Sequence, residues 1–301
     1  MLDATGTGQR LSEIQTILDD LRQLAKFKAR SHETSKNLYL PLLQLQSNFD
    51  NRGTRRWPVV VLLGDSMLER MTTTGGCSNL LDPWPSHTML DDDKLRSLSL
   101  KLREGKGDIN NGDMRKGPMW NLERLQGIFN AGVGGDMIQN LVYRLVGSGN
   151  GRGDRDGDRE DLPGLLPALA AAGTVRIWVL HVGTNNLSPK KGLSDRDVDA
   201  LRRVTTALSK VHPERGKCRV LVTGLFYRKD VSRELVDGAN EKIQGMVKGL
   251  QDECGSERVT YLPPTAAVNS GDHLEDHVHL TLQGYQLWIE TLFPSIANCL
   301  Q

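Results

Sequence analysis

Polar residues that could transfer an acyl group follow separate apolar segments of this chain. The first is Ser66 of Gly64-Asp65-Ser66, which ends an apolar run that begins at Val59. Chemistry in open α/β sheets is done at the carboxyl ends of strands, so this hydroxyl is a candidate nucleophile. The same three residues also make an ordinary turn and helix cap, so their interpretation depends on the other strand ends.

A glycine-rich segment, Asn130 to Asp136, follows a second apolar run. Glycines let backbone N–H groups turn toward a ligand, and such groups at the start of a helix attract negative charge. The segment could be an oxyanion hole, a phosphate or dinucleotide loop, or only a tight strand-to-helix turn. The dinucleotide pattern requires glycine where Met137 stands, which weakens that alternative.

A third apolar run reaches His181 and is followed by Gly183-Thr184-Asn185. The Asn185 amide is a neutral donor that could face a developing oxyanion. Asparagine at such a position is also a common turn former or helix cap. His181 itself is predicted to be a satisfied, half-buried histidine within the strand.

Three histidines and three carboxylates lie within eight residues near the carboxyl end of the chain. Asp276 and His279 could form a carboxylate that orients a catalytic base, with the base facing a serine. His277 and His273 could replace His279 on charge grounds, but the spacing favours His279. A zinc site built from His273, His277 and His279, or a solvated loop, is the alternative.

The elements that must position these residues follow an alternating pattern. Apolar runs predict five strands, at 57–63, 125–130, 175–182, 218–225 and 258–262. Helical patterns lie at 136–147, 193–211, 232–252 and 282–300. Near-continuous apolar strands separated by helices predict a parallel sheet that is covered on both faces.

Two kinds of segment fall outside this alternation. Residues 1–50 are predicted to be a helical N-terminal extension of a domain at 51–301. Apolar positions within 11–30 share one helix face, which predicts a helix packed on the domain, with a partner-binding or coiled-coil helix as the alternative. Insertions are predicted at 71–120, as a lid or mobile loop, and at 147–163, as a flexible surface loop.

Composition excludes some classes of partner. Lys and Arg total 38 against 37 Asp and Glu, so a nucleic-acid partner is not indicated. No apolar run reaches the length of a membrane span. Residues 1–30 carry no secretion signal, which predicts a cytoplasmic protein with reduced cysteines.

The four polar segments together resemble the SGNH (GDSL-type) hydrolase family, over about residues 57–300 and in the family's order. The matching blocks are Gly64-Asp65-Ser66, Asn130 to Asp136, Gly183-Thr184-Asn185, and Asp276 to His279. Within that family the chain is most similar to the catalytic subunits of intracellular platelet-activating-factor acetylhydrolase. That likeness depends on short phrases such as Gly-Val-Gly-Gly-Asp followed by Tyr143-Arg144-Leu145.

The resemblance implies a flavodoxin-like three-layer α/β/α sandwich with a five-stranded parallel sheet, the SGNH hydrolase fold. It implies that Ser66 is the nucleophile, that His279 is the general base and then the acid, and that Asp276 orients it. The oxyanion hole would consist of the backbone N–H groups of Ser66 and Gly135 and the side-chain amide of Asn185. No metal or cofactor is implied.

The expected function is a serine ester hydrolase that cleaves short acyl esters through an acyl-enzyme. Its partner would be a small acylated lipid or sugar, and a homodimer is left open. Two alternatives remain at this point: a non-catalytic flavodoxin-like binding module, and a metal-dependent hydrolase that uses the three histidines.

Overall fold

The computed structural model describes residues 4–48, 58–75, 128–148, 162–212, 218–255 and 257–300. The strands in this part of the chain are β1 (Val60–Gly64), β2 (Ile128–Gly132), β3 (Ile177–His181), β4 (Arg219–Thr223) and β5 (Val259–Leu262). All neighbours pair in parallel, in the order β2-β1-β3-β4-β5. This is the strand order of flavodoxin-like sheets, and the five predicted strands are confirmed.

The helices of the described residues surround this sheet. They are α1 (Ala4–Arg22), α2 (Ala29–Thr34), a π-helical turn at Ser35–Tyr39, α3 (Leu40–Asn48), α4 (Ser66–Met71), α5 (Ile138–Val146), α6 (Leu165–Ala172), α7 (Asp195–Lys210), α8 (Arg233–Cys254) and α9 (Leu282–Cys299). The four helices predicted between and after the strands are α5, α7, α8 and α9. Helix α6 was not predicted, because its eight apolar and small residues show no helical periodicity. None of the described helices is long and apolar enough to cross a membrane.

Two apolar cores lie on opposite faces of the sheet. Val61 and Leu63 of β1 join the core that contains α5, α7 and α8, whereas Val60 and Leu62 join the core that contains α4 and α9. Successive side chains of a strand point to opposite faces, so one strand supplies both cores. The predicted three-layer α/β/α sandwich is therefore confirmed.

The ends of the central strands approach each other closely. Gly64 pairs with Gly132 on one side and with His181 on the other. A Cβ atom built on Gly64 would lie 1.9 Å from the His181 carbonyl oxygen, so only glycine fits there. This close approach brings the segments that follow β1, β2 and β3 to one edge of the sheet.

The N-terminal helix differs from its predicted bounds of 11–30. Helix α1 ends at Arg22, and Lys28 has an extended backbone before α2 begins at Ala29. The reason is tertiary: the backbone of Lys26 hydrogen-bonds to Gln139 and to the side chain of Asn140 on α5, which draws the chain out of the helix.

Helix α1 packs on the sheet-and-helix body, because Leu18 and Leu21 are buried in the core beside α5. The apolar face that could have bound a partner is thus covered within the chain. The division at residues 50 and 51 stays a prediction. Most of the two predicted insertions, at 76–120 and 149–161, lies outside the described residues, although Gly147 and Pro163 pair across the ends of the second.

The cysteines with described side chains, Cys218 and Cys299, are free thiols. This agrees with the prediction of reduced cysteines for these two positions.

Candidate active site

Ser66 lies at the first position of α4, immediately after β1. Asp65 caps the helix, and its Oδ1 accepts a hydrogen bond from the Met67 backbone N–H at 3.0 Å. Burial raises the pKa of Asp65 to about 7, against the opposing effect of hydrogen bonds from Met67 and Thr184. The cap holds the Ser66 hydroxyl at the positive end of the helix, where developing negative charge is stabilised.

Asp276, His279 and Ser66 form a continuous chain of two hydrogen bonds. His279 Nε2 lies 2.9 Å from Ser66 Oγ, and His279 Nδ1 lies 2.7 Å from Asp276 Oδ2. The side chains come from residues 213 positions apart in the sequence. This is the arrangement of nucleophile, base and orienting group that nucleophilic catalysis requires.

The catalytic loop around Asp276 fixes the direction of this chain. The other carboxylate oxygen, Oδ1, accepts the backbone N–H groups of Val278 and His279, both at 2.8 Å. Partial burial raises the pKa of Asp276, but the hydrogen bonds from His279 and Val278 outweigh it and hold that pKa well below its usual range. An ionised Asp276 accepts the Nδ1–H of His279, which leaves the Nε2 lone pair facing Ser66.

The other two histidines of this segment have different environments. His277 is exposed, and its backbone carbonyl accepts the Lys229 N–H at 2.8 Å. His273 is buried, and its Nδ1 accepts the Asn269 N–H at 3.1 Å. Neither contacts Ser66, so the preference for His279 from spacing agrees with the geometry.

The predicted alternative of a zinc site is not supported. Among the described residues, which include all three histidines, no group of three His, Cys, Asp or Glu side chains could hold a metal ion. The metal-dependent hydrolase therefore has no geometric basis in this segment.

The glycine-rich segment after β2 and the asparagine after β3 contact each other. Gly135 has a φ of +74°, and Asn185 Nδ2 donates to the Asp136 carbonyl oxygen at 3.0 Å. Within the described residues, the backbone N–H groups of Ser66 and Gly135 donate to no other protein atom. The oxyanion hole of the Ser66 and Gly135 N–H groups and the Asn185 amide stays a prediction.

A comparison with known protein families identifies the class of enzyme to which the chain belongs. The GDSL-like Lipase/Acylhydrolase family matches residues 104–287, more than half of the chain. The chain belongs to this family. It is accordingly an ester hydrolase, which sets aside the non-catalytic binding module. The matched range does not include Ser66. The observation that connects this serine to the site is its contact with His279.

Three of the solved structures that resemble this chain share little sequence identity with it. A lipase/acylhydrolase from Enterococcus faecalis is 14% identical, with 80% of this chain and 96% of that chain covered and a TM-score of 0.41. A carbohydrate acetylesterase family member from Sinorhizobium meliloti is 17% identical, with 81% and 99% covered and a TM-score of 0.40. A family 3 carbohydrate esterase from Talaromyces cellulolyticus is 15% identical, with 80% and 97% covered and a TM-score of 0.44. No curated protein matches the sequence.

The neighbouring Asn186 takes the capping role that was an alternative for Asn185. Its Oδ1 accepts the Ile138 N–H at 3.0 Å at the start of α5, and its Nδ2 donates to Asp197 at 2.7 Å. Asn185 is consequently free of the helix cap and holds only the Asp136 carbonyl with its amide.

A buried arginine stabilises the site of this GDSL-like hydrolase. The sequence alone predicted no role for it. Arg144 is fully buried on α5, and its Nε donates to Asp136 Oδ2 at 2.8 Å. Its two terminal nitrogens donate to the carbonyl oxygens of Ala131, at 2.8 Å, and Gly64, at 3.1 Å. One guanidinium therefore joins the ends of β1 and β2 to the glycine-rich loop. An arginine among the apolar residues of α5 was the available signal.

His181 is more deeply placed than its sequence predicted. It is fully buried, its Nδ1 lies 2.6 Å from Thr223 Oγ1, and its Nε2 has no hydrogen-bond partner in the part of the chain that the structure describes. The ring packs 4.9 Å from that of Trp288. Burial lowers the pKa of His181 to about 3, so the ring is neutral. The prediction of a satisfied, half-buried histidine is wrong, because α9 covers this face of the sheet.

Proposed function

We propose that this GDSL-like hydrolase cleaves short acyl esters through an acyl-enzyme on Ser66. The observation that carries the proposal is the unbroken chain from Asp276 through His279 to the Ser66 hydroxyl, at 2.7 and 2.9 Å. A serine hydroxyl is a weak nucleophile until an adjacent base accepts its proton, and this geometry supplies that base.

The reaction would proceed in two halves. In the first, His279 Nε2 takes the Ser66 proton while Oγ attacks the ester carbonyl carbon, and then returns the proton to the leaving alcohol oxygen as the C–O bond breaks. In the second, His279 deprotonates a water that attacks the acyl carbon. Ser66 Oγ then recovers a proton and the carboxylic acid leaves. Asp276 stabilises the imidazolium that forms in each half.

The negative charge on the carbonyl oxygen would be held by the Ser66 and Gly135 N–H groups and by Asn185. The Asn185 amide uses one hydrogen on the Asp136 carbonyl, which fixes the amide plane and leaves the second hydrogen for the oxyanion. The φ of +74° at Gly135 turns its peptide into a conformation that a side chain would strain.

The substrate is proposed only as a class, a short acyl ester of a lipid or a sugar. The likeness to platelet-activating-factor acetylhydrolase subunits depends on short sequence phrases, and no match reported above bears that name. The cytoplasmic location stays a prediction from the sequence.

The proposed nucleophile is tested by Ser66→Ala with p-nitrophenyl acetate as substrate. We expect hydrolysis to fall to the level of the uncatalysed reaction, because Ser66 is the hydroxyl that His279 Nε2 contacts among the described residues. Ser270→Ala is the matched control, since it removes a hydroxyl from the segment that precedes the catalytic loop, and we expect full activity. Hydrolysis by Ser66→Ala at the rate of the parent would show that the proposed mechanism is wrong.

A further inference from the structure

A segment from the N-terminal region lies directly on the glycine-rich loop. Lys28, in the extended stretch between α1 and α2, donates from Nζ to the Gly134 carbonyl oxygen at 2.8 Å. A Cβ atom built on Gly135 would lie 2.8 Å from the same nitrogen. The lysine side chain is only 29% exposed. Its ammonium group thus packs against the peptide that joins Gly134 to Gly135.

That peptide is the one that carries the Gly135 N–H. A cation that hydrogen-bonds to a peptide oxygen draws electron density from the amide and strengthens the N–H as a donor, since linked hydrogen bonds polarise one another. It also fixes the rotation of the peptide plane. A contact on the Gly134 oxygen therefore acts on the donor that would hold the oxyanion.

Two cations contact the carboxylate at the end of the glycine-rich loop. The single carboxylate of Asp136 receives Arg144 Nε at 2.8 Å and Lys28 Nζ at 3.5 Å, so two cations share one anion. Arg30, which borders Gly134, is already paired with Glu69 at 2.9 Å. Fixed positive charge close to a developing oxyanion lowers the barrier without reorganisation during the reaction.

The backbone around Lys28 is itself held in place. Ser31 Oγ donates to Asp136 Oδ1 at 2.5 Å, and Tyr39 Oη donates to the Gly132 carbonyl oxygen at 2.5 Å. His32 Nδ1 lies 2.8 Å from Tyr143 Oη on α5. These contacts keep the lysine on the loop in a defined position rather than leaving a mobile charge at the surface.

From these contacts we infer that Lys28 is a positioning residue of the acyl-transfer step, which orients and polarises the Gly134–Gly135 peptide. This role depends on the proposed function, because it assumes that the Gly135 N–H faces the oxyanion. The N-terminal segment then contributes a residue to the active site. Lys28 stabilises the transition state more than it stabilises the bound ester.

Lys28→Met tests this role, with Lys26→Met as the matched control. Both replace a lysine by a neutral chain of similar length, but the Lys26 side chain is exposed, whereas Lys28 donates to the Gly134 carbonyl oxygen. We expect Lys28→Met to lower kcat about tenfold, less than the loss of a whole donor, with KM changed less than twofold. Affinity for phenylboronic acid, which forms a tetrahedral adduct on a serine, should fall in parallel.

Two further measurements separate this role from a general loss of structure. Expressing kcat per active site titrated with a fluorophosphonate removes any unfolded fraction from the comparison. Lys28→Arg should recover most of kcat, because it restores the cation. A kcat for Lys28→Met equal to that of Lys26→Met would overturn the inference. So would a Lys28→Arg variant as slow as Lys28→Met, or an effect confined to KM.

These outcomes differ from a failure of the proposed function. An active Ser66→Ala would remove the acyl-enzyme mechanism altogether. An inactive Ser66→Ala combined with an unaffected Lys28→Met would leave that mechanism in place and remove only the role of the lysine.

Discussion

The two halves of the proposed active site are held in place in different ways. In the catalytic loop, Asp276 hydrogen-bonds to the Val278 and His279 N–H groups and to the His279 ring, all within three residues. The glycine-rich loop from Asn130 to Asp136 is called the oxyanion loop here, after its proposed role. In it, Asp136 is held by Arg144, eight residues away, and by Ser31, 105 residues away. The Asp276 carboxylate is thus held mainly by groups of its own loop, with Arg70 3.9 Å away, whereas the Asp136 carboxylate depends on a distant part of the chain.

This difference predicts how each half responds to substitution. Changes to the Asp276 carboxylate should reduce activity and leave the fold nearly intact, since its hydrogen bonds are local and it is partly exposed. Changes to the anchors of the oxyanion loop should reduce stability and activity together, because the same buried groups also join the ends of the strands.

Asp276→Asn tests the half of the site whose hydrogen bonds are mainly local, and it has the largest expected effect. Asparagine can still accept the two backbone N–H groups through its oxygen, which turns its NH₂ toward His279 and favours the wrong tautomer of the ring. We expect kcat to fall roughly 10⁴-fold, as in other Ser-His-Asp triads. The melting temperature should stay close to that of the parent. A large loss of stability would show that this loop also depends on more than local contacts.

Arg144→Met tests the half that depends on distant contacts. It would leave the Asp136 carboxylate buried without its main partner, which costs about 3–5 kcal/mol in the free energy of unfolding. We expect that loss in urea titrations, together with a reduced kcat. Arg196→Met on α7 is the matched control, since that arginine is exposed, and it should change stability little. A stable Arg144→Met variant would remove the contrast between the two halves.

His181, which lies in the sheet beneath both halves, offers a test with a smaller expected effect. Its folded-state pKa of about 3 lies below the usual 6.5, so the unfolded state binds a proton first as the pH falls. The contribution of His181 to the free energy of unfolding is fully present above pH 6.5. It is lost as the pH falls toward 3, by at most about 1.4 kcal/mol per pH unit. In His181→Leu the free energy of unfolding should fall less steeply across this window. Parallel pH profiles for parent and variant would contradict this.

Local features of the site were predictable from the sequence. The three-residue spacing of Asp276 and His279 places both side chains on one loop, and the strand ends place Ser66, Gly135 and Asn185 at one edge of the sheet. The apolar runs predicted each strand, because buried parallel strands carry apolar residues on both faces.

Features that depend on distant contacts were not predictable. Helix α1 ends at Arg22 because Lys26 hydrogen-bonds to α5, and nothing near Arg22 in sequence signals that partner. Lys28 and Arg144 look like ordinary surface and helix residues until the fold brings them to Asp136. The full burial of His181 likewise depends on α9, more than 100 residues later.

The most direct test of the account is covalent labelling with a fluorophosphonate, followed by mass mapping of the modified peptide. We expect one adduct on the parent protein, located at Ser66, and no adduct on Ser66→Ala. Labelling at a different residue, or undiminished labelling of Ser66→Ala, would contradict the assignment of Ser66 as the nucleophile.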